Sequence, residues 1–402
     1  MTSAFIRSVT LKNYKSIASC KVELHPLTFL VGPNGSGKSN FLDALRLVAD
    51  ALNNSLDHAL RDRGGIKEVR RKSSGHPTHF TIELEFSLGD GSNGEYGFTV
   101  GAQPQGGYEV QTETCTIRSP IALQPAAFYK IEAGELKNSS LKVAPPASSD
   151  RLYLVNAAGI PEFLPLYEAL THMGFYNLNP DRIRDLQQPD RGEVLRRDGS
   201  NLPSVLGQLD LHNGALKKRI EDYLSKVVPG VSAVQVKSFG PKETLEFRQH
   251  VKGANAEWRF ISANMSDGTL RALGILVALF QAQASARIKV PLVGIEEPET
   301  ALHPAAAGIL RDALREASAA TQVLVTSHSP DLLDDASISE NSILAVSSDE
   351  GVTKIAPPDD AGKSAIKDRL YTAGELLRMN QLTPQETPQN GVSEPHLFEA
   401  KN

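Results

Sequence analysis

A glycine-rich turn between an apolar run and a helix-like pattern is the feature that most constrains this chain. The stretch FLVGPNGSGKSNFLDAL (29–45) fits the pattern GxxxxGKS at every fixed position from Gly32 to Ser39. The run before the turn has strand character, and the apolar residues after it recur at three- and four-residue steps. The sequence therefore predicts a strand, a phosphate-binding loop and a helix in succession. These flanking elements disfavour a glycine turn that only resembles the motif.

The residue types in this loop suit a polyphosphate and a divalent cation. Successive backbone N–H groups at a helix N-terminus attract phosphate oxygens, and glycines let the backbone approach closely. We expect Lys38 to reach the β- and γ-phosphates during catalysis and the Ser39 hydroxyl to ligate Mg²⁺. The predicted cofactors are ATP and Mg²⁺, and the predicted nucleotide-binding residues are Asn34, Gly35, Ser36, Gly37, Lys38, Ser39 and Asn40.

A second apolar run, in VPLVGIEEPETALHP (290–304), ends in two carboxylates. A buried strand that delivers acids at its C-terminal end can complete the magnesium site of a phosphate-binding loop. We expect Glu296 to hold Mg²⁺ through water and Glu297 to polarise the attacking water. The alternative is solvated charge at a strand end, and the loop at 32–39 disfavours it.

A third apolar run, QVLVTSHSPDLLD (322–334), ends in a polar turn that contains His328. An imidazole at the end of a strand in the same sheet could contact the γ-phosphate and respond to its presence. A histidine that only satisfies its own loop is the alternative. Three strand-end motifs in one chain favour the functional interpretation of His328.

The stretch NMSDGTLRALGILVALF (264–280) predicts a helix with Ser266 and Asp267 as N-terminal caps. Spacing alone favours a capped core helix without a further role. The other interpretation is that Ser266, Gly268 and the helix N-terminus form an anion site for a γ-phosphate held by a second subunit.

Patterning elsewhere divides the chain into four predicted parts. Alternating apolar and polar residues between 79 and 117 predict a small antiparallel sheet, 161–228 has a helical texture, and the tail after Leu382 is polar and Pro-rich. The predicted parts are an N-terminal lobe with the loop and the antiparallel sheet (1–150), a mainly helical insertion (151–260), a C-terminal lobe (261–356), and a C-terminal helix with a mobile tail (357–402).

Composition excludes some classes of protein. The chain has 402 residues, 40% of them hydrophobic, and a net charge of -5, which is typical of a globular protein of two or three domains. No run approaches the roughly 20 apolar residues that span a bilayer, and the N-terminus has no apolar signal core. The cysteines, Cys20 and Cys115, are far apart and have no metal-binding spacing. We expect a cytoplasmic protein with reduced cysteines and no membrane contact.

Basic residues cluster in three places and raise the question of DNA binding. If they converge on one face, they could neutralise duplex phosphates without reading sequence. The alternative for each cluster is solvated or internally paired charge, which the negative net charge favours. The clusters are RDRGGIKEVRRK (61–72), the set Arg182, Arg184, Arg191, Arg196 and Arg197, and KKR (217–219).

Taken together, the motifs resemble those of ATP-binding-cassette (ABC) ATPases of the SMC/RecF group. MSDGT (265–269) looks like the signature motif, and GIEEPE (294–299) resembles the Walker B motif of the RecF-like and OLD-like branch. TSHSPDLLD (326–334) is similar to its histidine switch loop, ETALHP (299–304) occupies the D-loop position, LKNYKSI (11–17) resembles the first strand, and the arginine-rich segment after 175 resembles the lid.

The resemblance implies a fold, an activity and a partner. The fold is an α/β ABC-type phosphate-loop head with a mixed or parallel sheet core, an antiparallel β subdomain and a helical lid insertion. The activity is ATP hydrolysis, and the partner is a second copy, with ATP sandwiched between heads and each site closed by the partner's Ser266 and Gly268. The function expected on this basis is a nucleotide-controlled switch in DNA maintenance or anti-phage defence.

Departures from the family pattern leave a second function open. No heptads of a long coiled coil occur, and about 70 residues follow His328, too few for the nuclease domain of OLD proteins by ordinary domain sizes. Gln124 is a candidate for the Q-loop glutamine on order alone. The alternative function is a sensor or scaffold that controls a separately encoded nuclease or toxin effector and binds little DNA itself.

Overall fold

The computed structural model describes residues 5–73, 75, 77–120, 127–283 and 289–386. In this part of the chain the strands are β1 (Ile6–Tyr14), β2 (Ile17–Glu23), β3 (Leu27–Val31), β4 (His79–Ser87), β5 (Asn93–Ala102), β6 (Tyr108–Arg118), β7 (Ala127–Glu132), β8 (Glu135–Ser139), β9 (Gly174–Tyr176), β10 (Val231–Phe239), β11 (Lys242–Gln249), β12 (Trp258–Ile261), β13 (Leu292–Glu296), β14 (Gln322–Ser327), β15 (Ile343–Asp349) and β16 (Val352–Ala356).

The α-helices of the same residues are α1 (Lys38–Asn53), α2 (Leu56–Arg61), α3 (Ile66–Val69), α4 (Leu154–Ala157), α5 (Leu164–Thr171), α6 (Pro180–Arg184), α7 (Leu202–His212), α8 (Gly214–Val227), α9 (Asp267–Phe280), α10 (Ala307–Ala317), α11 (Pro330–Leu333), α12 (Asp360–Lys367) and α13 (Ala373–Arg378). Short 3₁₀ segments cover Ser262–Asn264, Gln281–Gln283, Pro304–Ala306 and Glu340–Ser342.

Thirteen of the described strands form one mixed sheet in the order β8-β7-β6-β5-β4-β1-β2-β16-β15-β3-β14-β13-β9. In its parallel part, β15, β3, β14, β13 and β9, every strand runs parallel to its neighbours. The strands β10, β11 and β12 form a separate antiparallel sheet. The α/β class and the mixed sheet expected from the sequence are confirmed.

Helices cover both faces of the parallel part, which explains why its strands are continuous apolar runs. In β3, Leu30 packs in the same core cluster as Phe41 of α1. Its neighbours Phe29 and Val31 point to the other face, into the cluster that contains Leu273 of α9. Side chains alternate across a strand, so β3 is buried between α1 on one face and α9 on the other.

The antiparallel strands predicted between 79 and 117 are present, but they do not form a small sheet of their own. Strand β1 pairs with β2 on one edge and with β4 on the other, both antiparallel. The ladder from β4 to β8 therefore continues the main sheet. The predicted antiparallel strands are thus confirmed, and their pairing with β1 is the part that local alternation does not show.

The predicted helical stretch 161–228 contains α5, α6, α7 and α8, and it also contains β9, which the sequence did not reveal. With three residues, β9 is too short to show a period, and its partner β13 follows more than a hundred positions later. In the predicted part 357–402, α12 and α13 are helical, and 387–402, most of the predicted mobile tail, lies outside the described residues. The bounds of the four predicted parts remain predictions.

Glu113 on β6 joins the antiparallel strands to the segment that follows them. It is fully buried, and its carboxylate accepts hydrogen bonds from the hydroxyls of Tyr129 (2.8 Å) and Tyr96 (3.2 Å). The backbone N–H groups of Tyr153 (2.5 Å) and Leu154 (3.0 Å) also donate to it. Burial raises the pKa of Glu113 to about 7, against the lowering effect of these donors.

We expect the free energy of unfolding to fall as pH rises toward the pKa of Glu113. This pKa is about 7 in the folded chain and 4.5 in the free side chain, so between these values the folded state holds a proton that the unfolded state has released. The stabilising contribution is complete below the lower value and lost at about pH 7. Its size is roughly 3 kcal/mol.

Urea unfolding near pH 5 and near pH 8 measures this effect. The variant Glu113→Gln stays neutral and should show a flatter dependence on pH than the parent protein. The control is Glu109→Gln, on the same strand, where the side chain is half-buried and contacts Gln103. An equally steep dependence in Glu113→Gln would contradict the assignment.

Candidate nucleotide-binding site

The loop between β3 and α1 can adopt its path because glycines stand where no side chain fits. A Cβ on Gly32 would lie 2.0 Å from the carbonyl oxygen of Val346 in β15. Gly37 has φ 102°, and its Cβ would lie 2.1 Å from Thr353 Oγ1. Gly35 also has a positive φ, 76°, with open space on its Cβ side. The first and last glycines of the motif therefore permit close packing, and Gly35 provides the left-handed conformation of the turn.

The N-terminus of α1 has the character of an anion site. Gly37 is its N-cap, no side chain caps it, and its first turn contains no acidic residue. The first N–H groups of a helix have no intrahelical acceptor, and the helix dipole favours negative charge there. Ser36 Oγ is buried without a hydrogen-bond partner. These unsatisfied donors at a 16-residue helix fit a phosphate group.

The side chain of Lys38 folds back over the loop and is held by carbonyl groups of the loop backbone. Its Nζ donates to the carbonyl oxygens of Gly32 (2.8 Å) and Pro33 (2.9 Å). Burial lowers the pKa of Lys38, and the carboxylates of Glu297 and Glu299 act in the opposite direction. Glu297, the predicted base, is thus close enough to the loop lysine to affect its pKa.

A chain of hydrogen bonds fixes the loop from the side of β16. Asn40 Nδ2 donates to Ser16 Oγ (2.7 Å), Ser16 Oγ pairs with Thr353 Oγ1 (2.7 Å), and Thr353 donates to the carbonyl oxygen of Ser36 (2.8 Å). Sequence reasoning missed Ser16 and Thr353. Thr353 carries no local signal, because it lies 317 positions from Ser36 in the chain. The role predicted for Asn40 in nucleotide binding remains a prediction.

Glu296 lies at the end of β13, and it lines the same cleft as Ser39 and Asn40. A hydroxyl and a carboxylate on one cleft are the oxygen ligands that Mg²⁺ accepts together with phosphate oxygens and water. The carboxylate is engaged by an arginine of the predicted lid, with Arg197 Nη2 at 2.9 Å from Glu296 Oε1. The residues present therefore fit a magnesium ion, with Ser39 and Glu296 as its candidate protein ligands.

Glu297 begins a sharp turn after the strand. It has φ 43°, and its N–H donates to the carbonyl oxygen of Thr326 at 3.0 Å. A left-handed conformation is costly for a residue with a side chain and is found where the surrounding structure imposes it. Arg271 of α9 donates to the carbonyl oxygens of Glu296 and Glu297, both at 3.2 Å. Sequence reasoning missed Arg271, which reads as one polar residue on an apolar helix.

His328 lies beside the predicted base. Its Nδ1 is 3.4 Å from Glu297 Oε1 and 3.8 Å from Glu299 Oε1. Glu299 Oε1 also accepts hydrogen bonds from Ser327 Oγ (2.7 Å) and from the N–H of His328 (3.2 Å). The histidine is thus held by two carboxylates of the segment after β13. Glu299 was missed, although the same motif contains it.

The predicted signature residues stand apart from the loop of their own chain. Ser266 is the N-cap of α9, and its hydroxyl accepts from the N–H of Thr269 (3.3 Å), as the capping interpretation predicts. Gly268 packs against the segment after β13, where a Cβ would lie 2.5 Å from the carbonyl oxygen of Ala301. Among the described residues, no hydrogen bond or ion pair joins Ser266 or Gly268 to residues 32–39.

Most of the predicted basic clusters are paired with acids of the same chain. In the sequence 61–72 the pairs are Arg61–Asp57, Arg63–Asp43, Arg63–Asp50 and Lys72–Glu68. In the two later clusters they are Arg184–Asp181, Arg184–Asp267, Arg196–Asp190, Arg197–Glu296, Lys217–Asp210, Lys217–Glu221, Lys218–Asp222 and Arg219–Glu316. Nine of the fourteen basic residues in the three clusters thus have an acidic partner, whereas Lys67, Arg70, Arg71, Arg182 and Arg191 have no ion pair among the described residues.

The structure also bears on the Q-loop candidate, the cysteines, membrane-spanning helices and metal-binding clusters. Gln124, the candidate Q-loop residue, lies outside the described residues. Cys20 and Cys115 are both buried and free. In the described part of the chain, no helix is long and apolar enough to cross a membrane, and no group of three or more His, Cys, Asp or Glu side chains is placed to hold a metal ion.

A phosphate loop, a strand-end carboxylate pair and a histidine on neighbouring parallel strands are the arrangement expected from the resemblance to ABC-type ATPases. Residues 27–334 match the family model described as "AAA domain, putative AbiEii toxin, Type IV TA system". The match covers more than half of the chain, and the chain belongs to that family.

Relatives and solved structures agree with this assignment. A segment of 89 residues, 21% of this chain, is 38% identical to the DNA replication and repair protein RecF of Gloeobacter violaceus and spans 23% of it. A segment of 46 residues, 11% of this chain, is 52% identical to the chromosome partition protein Smc of Desulfitobacterium hafniense and spans 4% of it. The matched segments thus cover less than a quarter of these curated relatives.

Two solved heads share the fold at low identity. An Smc head bound to the C-terminal winged-helix domain of ScpA superimposes with a TM-score of 0.52 at 16% identity, covering 88% of this chain and 97% of that one. The Smc head of Pyrococcus furiosus, with an extended coiled coil and bound to the C-terminal domain of ScpA, gives 0.54 at 13% identity, covering 91% and 99%.

Removing the loop lysine should abolish most of the nucleotide affinity. Lys38→Ala removes a buried cation whose charged hydrogen bonds to phosphate are worth about 1.5–3 kcal/mol, so we expect the dissociation constant of a fluorescent ATP analogue to rise roughly 10- to 100-fold. Fluorescence titration measures it. The control is Lys354→Ala on β16, an exposed lysine paired with Asp349. Unchanged affinity in Lys38→Ala would remove the loop as the phosphate site.

Proposed function

We propose that this protein binds ATP with Mg²⁺ and hydrolyses it at an interface between two copies of the chain. The observation that carries the proposal is the contact between Glu297 and His328 at the sheet edge that also presents the phosphate loop. A carboxylate at this place is in reach of a water that attacks the γ-phosphate, and the histidine beside it is in reach of the phosphate itself.

Each residue of the site then has one task. Lys38 and the loop N–H groups hold the phosphates and compensate their charge. Ser39 and Glu296 hold Mg²⁺, which, when bound, neutralises charge that develops on the phosphate oxygens. Glu297 orients the attacking water and accepts its proton, while His328 donates a hydrogen bond to the γ-phosphate. ATP and Mg²⁺ are the cofactors of this proposal.

We infer a second copy because, among the described residues, no hydrogen bond or ion pair joins the predicted signature residues to the loop of their own chain. Ser266 and Gly268 lie at the N-terminus of α9, which Arg184 and Ala301 hold from both sides. A 14-residue helix presents a partial positive charge there. Pairing two heads would place this end on the γ-phosphate in the partner's loop, so that hydrolysis follows the closing of the dimer. The resemblance to Smc heads supports this arrangement.

The dimer acts as a nucleotide-controlled switch, in DNA maintenance or in anti-phage defence. The curated relatives are named for DNA replication and repair and for chromosome partition, and the family description names a toxin of a Type IV toxin–antitoxin system. One observation favours an output through another protein. Nine of the fourteen basic residues in the clusters that a DNA clamp would need pair with acids of the chain. We therefore infer a separately encoded nuclease or toxin effector as the partner, with little DNA binding by the head itself.

Replacing the proposed base should separate binding from hydrolysis. Glu297→Gln keeps the shape of the side chain but cannot accept the proton, so we expect phosphate release to fall about 10²- to 10⁴-fold. ATP binding should persist, and size-exclusion chromatography with light scattering should show a long-lived dimer. The control is Glu162→Gln, an exposed side chain far from the site. Normal turnover in Glu297→Gln would exclude Glu297 as the base.

The effect of duplex DNA on ATP turnover distinguishes control of a protein effector from clamping of DNA. If the head controls a protein effector, steady-state ATP hydrolysis should be the same with and without DNA across a salt series, with Glu297→Gln as the blank. A clamp that uses its own basic residues would instead show stimulation that weakens as salt rises, because phosphate contacts release counterions. That result would reverse the inference and direct attention to Arg70, Arg71 and Arg196.

A further inference from the structure

The carboxylate proposed to bind Mg²⁺ already has a cationic partner. Arg197 Nη2 lies 2.9 Å from Glu296 Oε1, and the two side chains line the cleft that contains Ser39. A carboxylate at a magnesium site ordinarily faces the metal and its water shell. A guanidinium thus lies at a position from which a divalent cation would compensate the same charge.

The arginine is placed there by the backbone of the lid. The carbonyl oxygen of Arg197 accepts a hydrogen bond from the N–H of Asn177 (3.0 Å), directly after β9, and that of Asp198 accepts from Asn179 (3.1 Å). Strand β9 in turn pairs in parallel with β13, the strand that ends on Glu296. The backbone of Arg197 is therefore hydrogen-bonded to the residue that follows β9, and β9 is the neighbour of the strand that ends on Glu296. Arg197 is thus not a free surface side chain.

The other cations of the cleft are occupied elsewhere. Lys15 and Arg46 line the same cleft, but each contacts Asp43, at 2.5 Å. Arg196, the neighbour of Arg197, pairs with Asp190 at 3.0 Å. Among the described residues that line this cleft, Arg197 is the one whose ion pair is made with the proposed metal ligand.

We propose that Arg197 is an internal substitute for the metal, so that Mg²⁺ and the lid arginine compete for Glu296. The proposal rests on the function proposed above for the site. In the metal-free state the arginine compensates the carboxylate, and metal binding must break this ion pair. The pair is partly exposed, with 47% of the arginine side chain and 22% of the glutamate side chain accessible. Such pairs are modest in strength, so the competition tunes metal affinity without preventing binding.

Release of Arg197 from Glu296 would also free the lid segment from the Walker B strand at one of its contacts. The segment from Arg196 to Asn201 belongs to the predicted insertion, and it leads directly into α7. Metal binding would thereby change a contact of the helical insertion through the Arg197–Glu296 pair.

Binding of Mn²⁺, a spectroscopic substitute for Mg²⁺, tests the competition directly. With a saturating non-hydrolysable ATP analogue, electron paramagnetic resonance should show two- to fivefold tighter Mn²⁺ binding to Arg197→Ala than to the parent protein, because the ion pair no longer has to be broken. Arg197→Lys should lie between them. Arg196→Ala removes the same charge one position away and should bind Mn²⁺ like the parent.

A second measurement separates competition from structural damage. In EDTA, Arg197→Ala should bind the analogue two- to fivefold more weakly than the parent, because Glu296 then faces the phosphates uncompensated. In Mg²⁺ the difference should vanish or reverse. Weaker binding of the analogue in both conditions, or the same tightening of Mn²⁺ binding in Arg196→Ala, would overturn the proposal. A parent protein that binds neither the analogue nor Mn²⁺ would overturn the proposed ATPase function together with this inference.

Discussion

The parallel pairing of β3, β14 and β13 is the constraint on which the candidate site depends. In this ladder Val31 lies opposite Ser327, and Thr326 lies opposite Glu296. Because parallel strands end at the same edge of a sheet, the phosphate loop, His328 and the carboxylate pair leave it side by side, although they are separated by almost three hundred positions in the chain. No contact between the motifs is needed to bring them together. The hydrogen-bond register does so, and the contacts between Glu297 and His328 then refine their orientation.

The polar groups of the site compensate one another in the absence of nucleotide. Lys38 is held by loop carbonyl oxygens, Glu296 by Arg197, and Glu297 lies beside His328. Lys38 is buried and would be costly if unpaired, whereas the pairs of Glu296 and Glu297 are partly exposed and stabilise the site only modestly. This internal pairing also means that nucleotide binding exchanges partners and does not simply add contacts. Part of the gross interaction with phosphate and metal is therefore used to separate existing pairs, and the affinity that remains depends on how strong those pairs are.

The sequence predicted what is encoded locally and missed what depends on distant pairing. The strand, glycine turn and helix around Lys38 follow from spacing within 17 residues. The strand-end positions of Glu296 and His328 likewise follow from the short apolar run before each of them. Arg271 and Thr353 contact these motifs from segments far along the chain, and each appears in its own segment as an ordinary polar residue. Strand β9 was missed for the same reason. Arg197 was predicted as part of a basic cluster and not as the partner of Glu296. The antiparallel strands were found, but their union with the main sheet depends on the second edge of β1, which alternation cannot show.

Charge clusters show most clearly why a linear count of residues misleads. Lys72 pairs with Glu68 and Lys218 pairs with Asp222, and in each pair the two residues are four positions apart. Arg219 pairs with Glu316, 97 positions later, on a neighbouring helix. The local pairs can be anticipated from i,i+4 spacing, whereas the distant one requires the packing of α8 against α10. A basic run therefore marks a nucleic-acid surface only after its acidic neighbours in space are subtracted. In this chain that subtraction pairs nine of the fourteen cluster residues, and it leaves Arg70 and Arg71 as neighbouring cations of 61–72 without an ion pair among the described residues.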